Sequence, residues 1–266
     1  MRIAHISDLH LLEPQPRLRS AFERVRLAYL SALRPLGAAA RLLRFRRALE
    51  AAKLGGFDHL VITGDLTEDG KAGQFEEVAR VLHESEIPPT RVTLVPGNHD
   101  AYDEPHGWKR ALEGPLRAFA GSSLGKPGTV IDLGDVALLP ISTSVHQHWS
   151  SSWGQIDGDE LEALDRRTAD PGLSRKTLVI AQHHPPHPHR FAPLQWLDGL
   201  REHARLLALL ARRHTVQLLH GHMHSKVSRM FGAENVLRIF GAPAVVESDS
   251  PEVRFYETRG GLLVPV

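Results

Sequence analysis

Five short apolar runs in this chain each stop at residue types that a buried strand does not need. RIAHIS runs into D-L-H (Asp8, His10), DHLVIT into G-D (Asp65) and RVTLVP into G-N-H-D (Asn98, His99, Asp100). KTLVIAQ leads to H-H-P-P (His183, His184), and TVQLLH to G-H-M-H (His222, His224). Runs of this length, rich in aliphatic residues and closed by turn formers, read as strands. A single strand-end aspartate or histidine is more often a cap or a turn former than a ligand. Five in succession constrain the fold much further, because the strands of one sheet bring their carboxyl ends to one edge.

Between these runs the period changes. Residues 72 to 86 place Phe75, Val78, Ala79 and Leu82 on one helical face. Helices are also expected over 106–120, 157–168 and 199–213, and two strands over 128–141 around the turn Leu133-Gly134-Asp135. VSRMF, VLRIFGAP, VRFYETR and LLVPV form a strand-only tail. Alternating strands and helices with such a tail predict an α/β layered structure with helices outside the sheets. The chain has 266 residues, 42% of them apolar, with no fixed repeat and no linker-like tract, so one domain over 1–266 is expected. Its start carries no apolar run long enough for a signal peptide or a membrane span, which predicts a cytoplasmic protein.

The chemistry at the strand ends is that of hard-to-borderline metal ligands. There is no cysteine, which excludes disulfides, thiolate zinc sites and cysteine nucleophiles, whereas 17 histidines stand beside only three tyrosines. In D-x-H and H-x-H, residues two apart on an extended segment point the same way and can reach one ion. The glycines before Asp65, Asn98 and His222 permit sharp turns and close approach. Imidazole, carboxylate and amide donors without sulfur suit Mn²⁺, Fe²⁺ or Zn²⁺. Seven candidate ligands exceed the needs of one ion and fit two ions, about 3.5–4 Å apart, sharing a bridging carboxylate. Spacing alone does not separate His183 from His184.

The ordered set D-x-H, G-D, G-N-H-D, H-H-P-P, G-H-x-H resembles the calcineurin-like metallophosphoesterase superfamily, particularly its small bacterial phosphodiesterases for cyclic nucleotides and glycerophosphodiesters. The match runs from Asp8 to His224, most of the chain. The resemblance implies a two-sheet β-sandwich flanked by helices, in four layers. It implies that Asp8, His10 and His224 hold one divalent metal ion, that Asn98, His183 and His222 hold a second, and that Asp65 bridges them. His183 is taken as the ligand because it is the first histidine of its block; His184 then supports it, and His187 and His189 flank the pocket mouth. His5 and His220, inside strands, are expected to be buried structural residues. His99 would donate a hydrogen bond or proton to the leaving oxygen, with Asp100 orienting its imidazole. In this scheme a metal-bound water, deprotonated near neutral pH, attacks phosphorus in line. G-D-L-T-E-D-G lacks the arginine that protein phosphatases of the superfamily carry after G-D, and G-N-H-D lacks their glutamate, so the expected substrate is a small or lipid-linked phosphodiester. A phosphomonoesterase and a non-catalytic scaffold are the alternatives, the latter disfavoured by the complete ligand set.

Residues 17–47 form an arginine-rich insertion within a stretch of about 15–50. It carries nine arginines (17, 19, 24, 26, 34, 41, 44, 46 and 47) against Glu23, in a chain whose total charge is only +1. Leu18, Phe22, Val25, Tyr29, Leu33 and Leu36 recur at spacings of three and four, which predicts an amphipathic helix, with a break at Pro35 and Gly37 before a short helix around 41–52. One reading packs the apolar stripe on the sheet and leaves the arginines solvated. The other makes the segment a lid or a peripheral membrane helix on anionic lipid, favouring a lipid-linked substrate such as that of UDP-2,3-diacylglucosamine hydrolase. A nucleic-acid partner is disfavoured, since the segment lacks interleaved aromatics for base stacking.

Overall fold

A computed structural model describes residues 1–266 except 16–18, 33, 35, 36, 190, 214 and 232–235. Arg17, Leu18, Leu33, Pro35 and Leu36 of the expected insertion helix therefore lie outside the described residues. The strand runs form two mixed sheets. In the first, β1 (Arg2–Ile6), β2 (His59–Thr63) and β3 (Val92–Val95) are parallel neighbours. In the second, β4 (Ile131–Asp132) pairs antiparallel with β5 (Val136–Pro140), which runs parallel to β6 (Thr177–Ala181) and then β7 (Thr215–His220). The tail strands divide between the sheets. β8 (Val227–Phe231) and β9 (Val236–Gly241) extend the second beyond β7, while β10 (Arg254–Arg259) and β11 (Leu262–Pro265) return to the first beside β1.

The sheets pack face to face through Ile3, Val61, Val95 and Tyr256 of one and Leu138, Val179, Leu219 and Phe240 of the other. Strands covered on both faces lose the polar alternation of a half-exposed sheet, which is why β2, β3, β5 and β6 are buried along their whole length. Helices α1 (Ala21–Leu30), α2 (Ala38–Gly55) and α3 (Ala72–Glu84) precede β2 and β3. Phe45 and Leu49 of α2 and Phe75, Val78 and Leu82 of α3 pack against the outer face of the first sheet. Leu161 and Leu164 of α5 (Gly158–Thr168) and Leu206 and Leu210 of α7 (His203–Leu210) cover the second, which completes the expected four layers. No helix among the described residues is long and apolar enough to cross a membrane.

Several elements differ from expectation. The helix expected over 106–120 is α4 (Gly107–Glu113) and then a 3-10 segment, Arg117–Ser122, because Gly114-Pro115 interrupts the ladder. The one expected over 199–213 is the shorter α7, and α6 (Ala192–Asp198) before it is a helix the sequence pattern did not predict. The second insertion helix is longer than expected, 18 residues, and buries Arg41, Phe45, Ala48, Leu49 and Ala52.

The largest departure is α1. Ser20 and Glu23 close a capping box at its start. Its buried residues are Arg26 and Leu30, however, while Phe22, Val25 and Tyr29 are 66%, 64% and 56% exposed. The apolar stripe faces outward and the basic face inward, the reverse of a helix packed on a sheet with solvated arginines. The cause is the pair Glu68-Asp69, just past the second strand. Asp69 accepts from Arg19 at 2.7 Å and from Arg26 at 2.7 Å, while Glu68 accepts from Arg41 at 2.5 Å and from Ser31 at 2.9 Å. Buried guanidinium and carboxylate groups need each other, since either alone would be a desolvated unpaired charge.

Candidate metal centre

The ligand-type residues occupy the loops directly after β1, β2, β3, β6 and β7, all at the carboxyl ends of parallel strands. Backbone bonds from Asp8 to Gly64 (3.1 Å), His10 to Asp65 (2.9 Å) and Leu11 to Leu66 (3.0 Å) tie the first two loops together. Five of the seven expected ligands adopt left-handed backbone: Asp8 (φ 57°), His10 (48°), Asp65 (50°), His222 (66°) and His224 (50°). Each such residue costs about 1–2 kcal/mol. Apart from Glu86 no other non-glycine among the described residues does this, so the strain is concentrated where these side chains meet. Glycine is required beside them. A Cβ on Gly97 would lie 2.1 Å from Asp65 Oδ1, and one on Gly221 would lie 1.9 Å from Ser7 Oγ and 2.8 Å from Asp8 Oδ2.

Three overlapping groups have donor atoms mutually within 4.8 Å: Asp8, His10 and His224; His10, Asp65 and His99; Asp8, Asp65 and His183. Asp65 Oδ2 stands 3.6 Å from His10 Nε2 and 3.4 Å from His183 Nε2, between the two histidines assigned to different ions. Asn98 Oδ1 is 3.1 Å from His183 Nε2. His222 borders the same pocket and meets the His183 ring edge to face, with centroids 5.1 Å apart, but its Nε2 turns to Asp198, 2.9 Å from both the carbonyl and a carboxylate oxygen. Six of the seven residues thus converge closely, and His222 lies at the rim.

A second ring of contacts aims these groups. His183 Nδ1 donates to Thr63 O at 2.7 Å, leaving Nε2 for the centre, and His224 Nδ1 is held by Glu247 while Nε2 faces Asp8 at 3.3 Å. The Asn98 amide nitrogen donates to Tyr102 Oη at 2.7 Å, which fixes the amide oxygen toward His183. His99 Nδ1 donates to Glu68 O at 2.6 Å, and its Nε2 lies 3.9 Å from Asp65 Oδ2.

The donors fit divalent ions. Asp8 Oδ1 and both nitrogens of His10 are buried without a hydrogen-bond partner among the described residues. Groups that can hydrogen-bond are rarely left so unless something else binds them. Burial pulls His10 down to about 3, so it is the neutral imidazole that ligation requires. Burial works against charge on Asp65 and Asp8, yet the imidazoles of His183 and His99, and of His224, hold both carboxyls well below the usual range. The same attractions, working against burial, raise His183 to about 9 and His224 to about 10. The carboxylates demand positive charge, which protons on these imidazoles or bound cations supply.

Asp100 is placed differently from expectation. It does not touch the His99 ring, which Glu68 O orients instead. Its carboxylate accepts from Gly97 N (2.8 Å), Leu66 N (3.1 Å), Thr67 N (2.9 Å) and Thr67 Oγ1 (2.7 Å), locking the second and third loops together. His184 has both nitrogens engaged, by Thr143 Oγ1 at 2.8 Å and Ser152 O at 2.9 Å, and supports the site without a free donor. His187 and His189 border a neighbouring cavity that shares Asp198 with the central pocket. His5 and His220 are buried, His5 against Thr63 Oγ1 at 2.8 Å. Sequence reasoning missed Glu68, Tyr102, Asp198 and Glu247. Glu68, three residues after Asp65, and Tyr102, four after Asn98, stood beside the ligand blocks they serve; Asp198 and Glu247 lie more than twenty residues from theirs.

The calcineurin-like phosphoesterase family model matches residues 1–226. The chain is 29% identical to the 3',5'-cyclic adenosine monophosphate phosphodiesterase of Escherichia coli K12 over 184 residues, 68% of this chain and 59% of that protein's length. It is 27% identical to a probable cyclic nucleotide phosphodiesterase of Synechococcus, over 95% of this chain and 84% of that one. In fold it is similar to a dimetal phosphatase from Danio rerio, with a TM-score of 0.68 at 14% identity, covering 98% and 93% of the two chains.

Proposed function

Because the chain belongs to the calcineurin-like phosphoesterase family, we propose that it is a dinuclear metal-dependent phosphodiesterase acting on a small-molecule diester of the cyclic-nucleotide class. The observation that carries this reading is the position of Asp65 between His10 and His183, with His99 beside it at the floor of an open pocket. Asp8, His10, Asp65 and His224 would hold one ion, and Asp65, Asn98, His183 and His222 the other. Mn²⁺, Fe²⁺ and Zn²⁺ suit the donors. When bound, such a pair supplies activation of the attacking water and neutralisation of charge on the phosphoryl oxygens.

The remaining work falls to the chain. His99, its Nδ1–H anchored on Glu68 O, presents Nε2 to the phosphate and, in its doubly protonated imidazolium form, delivers a hydrogen bond or proton from Nε2 to the leaving oxygen. Asp100 keeps the His99 loop in register with the Asp65 loop. Tyr102 keeps the Asn98 amide from rotating. Metal analysis and paired assays test the reading. About two ions per chain and faster hydrolysis of bis(p-nitrophenyl) phosphate than of p-nitrophenyl phosphate are expected; a faster monoester rate replaces it with a phosphomonoesterase.

A second reading, a lipid-linked diester met at a membrane surface, is favoured by the apolar surface that Phe22, Val25, Phe191 and Trp196 leave in solvent. The inward pairing of Arg19, Arg26 and Arg41 removes much of its electrostatic basis. Sedimentation with anionic liposomes at low salt decides it, because screening is weakest there; protein left in the supernatant rules it out.

A further inference from the structure

The insertion reaches the catalytic pocket. Tyr29 and Arg34, with Trp149 from the segment after β5, border the same cavity of about 460 Å³ as Asp65, Asn98 and His99. Arg34 is a surplus cation there. Glu68, its carboxylate partner at 3.3 Å, is already paired with Arg41 at 2.5 Å and with Ser31. The Arg34 Nε is buried with no partner among the described residues, and so is the indole Nε1 of Trp149. The Trp149 ring is held edge to face against Tyr29, centroids 4.7 Å apart.

An occupant that answers all three features has a negative charge for Arg34, a flat ring for the aromatic pair and acceptor atoms on its edge for the indole N–H. An acyl chain would cover the rings but leave the buried donors unmet, which is costly for groups already removed from water. We propose that Tyr29, Arg34 and Trp149 form a nucleotide-specificity subsite, the base lying against Tyr29 and Trp149 while Arg34 pairs with a phosphate oxygen. The subsite rests on the phosphodiesterase reading for its reaction, though not for its binding.

The test sets p-nitrophenyl thymidine 5'-phosphate against methyl p-nitrophenyl phosphate, which has the same leaving group and no base, and against dihexanoylphosphatidylglycerol. Tyr29→Ala is expected to lower the kcat/KM ratio of base-bearing to base-free diester about tenfold, as loss of a stacking face does. Trp149→Phe, which keeps a ring and removes the donor, lowers it about fivefold. Arg34→Gln raises KM about tenfold for both diesters with the ratio preserved, because it removes a phosphate contact. Phe22→Ala, on the same helix but outside the cavity, leaves the ratio unchanged. Calorimetric binding of thymidine 5'-phosphate needs no turnover and is expected to weaken about tenfold in Tyr29→Ala. Equal loss on both diesters in Tyr29→Ala and Trp149→Phe, selective loss on the acyl diester in those variants, or absence of nucleotide binding by the unaltered protein overturns the subsite. Nucleotide binding that weakens in Tyr29→Ala while no diester is hydrolysed upholds the subsite and overturns the phosphodiesterase reading.

Discussion

The strand-end loops and the arginine-rich insertion use the same kinds of side chain to opposite ends. In the loops, carboxylates and imidazoles converge in close contact, yet buried atoms of Asp8 and His10 make no hydrogen bond among the described residues. In the insertion, Arg19, Arg26 and Arg41 bring charge into the protein and meet it with Glu13, Asp69 and Glu68. One cluster is open to a ligand; the other is closed on itself. Glu68 belongs to both, facing His10 Nδ1 at 3.3 Å on one side and Arg41 on the other, so the closed cluster props up the open one.

Substitutions that treat the two clusters differently test this contrast. Asp65→Ala should have the largest effect, lowering diester hydrolysis on the order of 10⁴-fold and reducing bound metal, because it removes the group placed between both ligand sets. Two ions retained in that variant would break the contrast at its open end. His99→Ala should lower kcat about 10³-fold while metal content measured by elemental analysis stays near two ions, the signature of a group that moves a proton without holding metal.

On the closed side the readout is stability. Arg41 is fully buried, and Arg41→Ala removes the cation nearest the buried Glu68 carboxylate and the donor to His10 O and Arg34 O, so urea unfolding should show a loss of about 3 kcal/mol. A loss under about 1 kcal/mol would mean that the insertion is not held by its buried charges. Arg46 of the same helix pairs with Glu84 in solvent, and Arg46→Ala should change the unfolding free energy by less than about 0.5 kcal/mol.

Local pattern in the chain was enough to place the strands and the ligand-bearing loops at their ends. Apolar runs closed by aspartate, glycine, proline or histidine mark β1, β2, β3, β6 and β7, and a pattern of seven ligand-type residues is legible because each block is local. The face of α3 was equally readable, since Phe75, Val78 and Leu82 had only one buried surface to meet. Three-dimensional packing settled which way α1 faces, which group orients His99, where Asp100 directs its hydrogen bonds, and which sheet each tail strand joins. Those outcomes turn on partners far apart in the chain, such as Arg26 and Asp69, 43 residues apart, and His224 and Glu247, 23 apart. Helical periodicity records which residues share a face, but the energy of burying that face depends on what lies opposite. For α1 a pair of carboxylates lies there, and charge outweighed the apolar stripe.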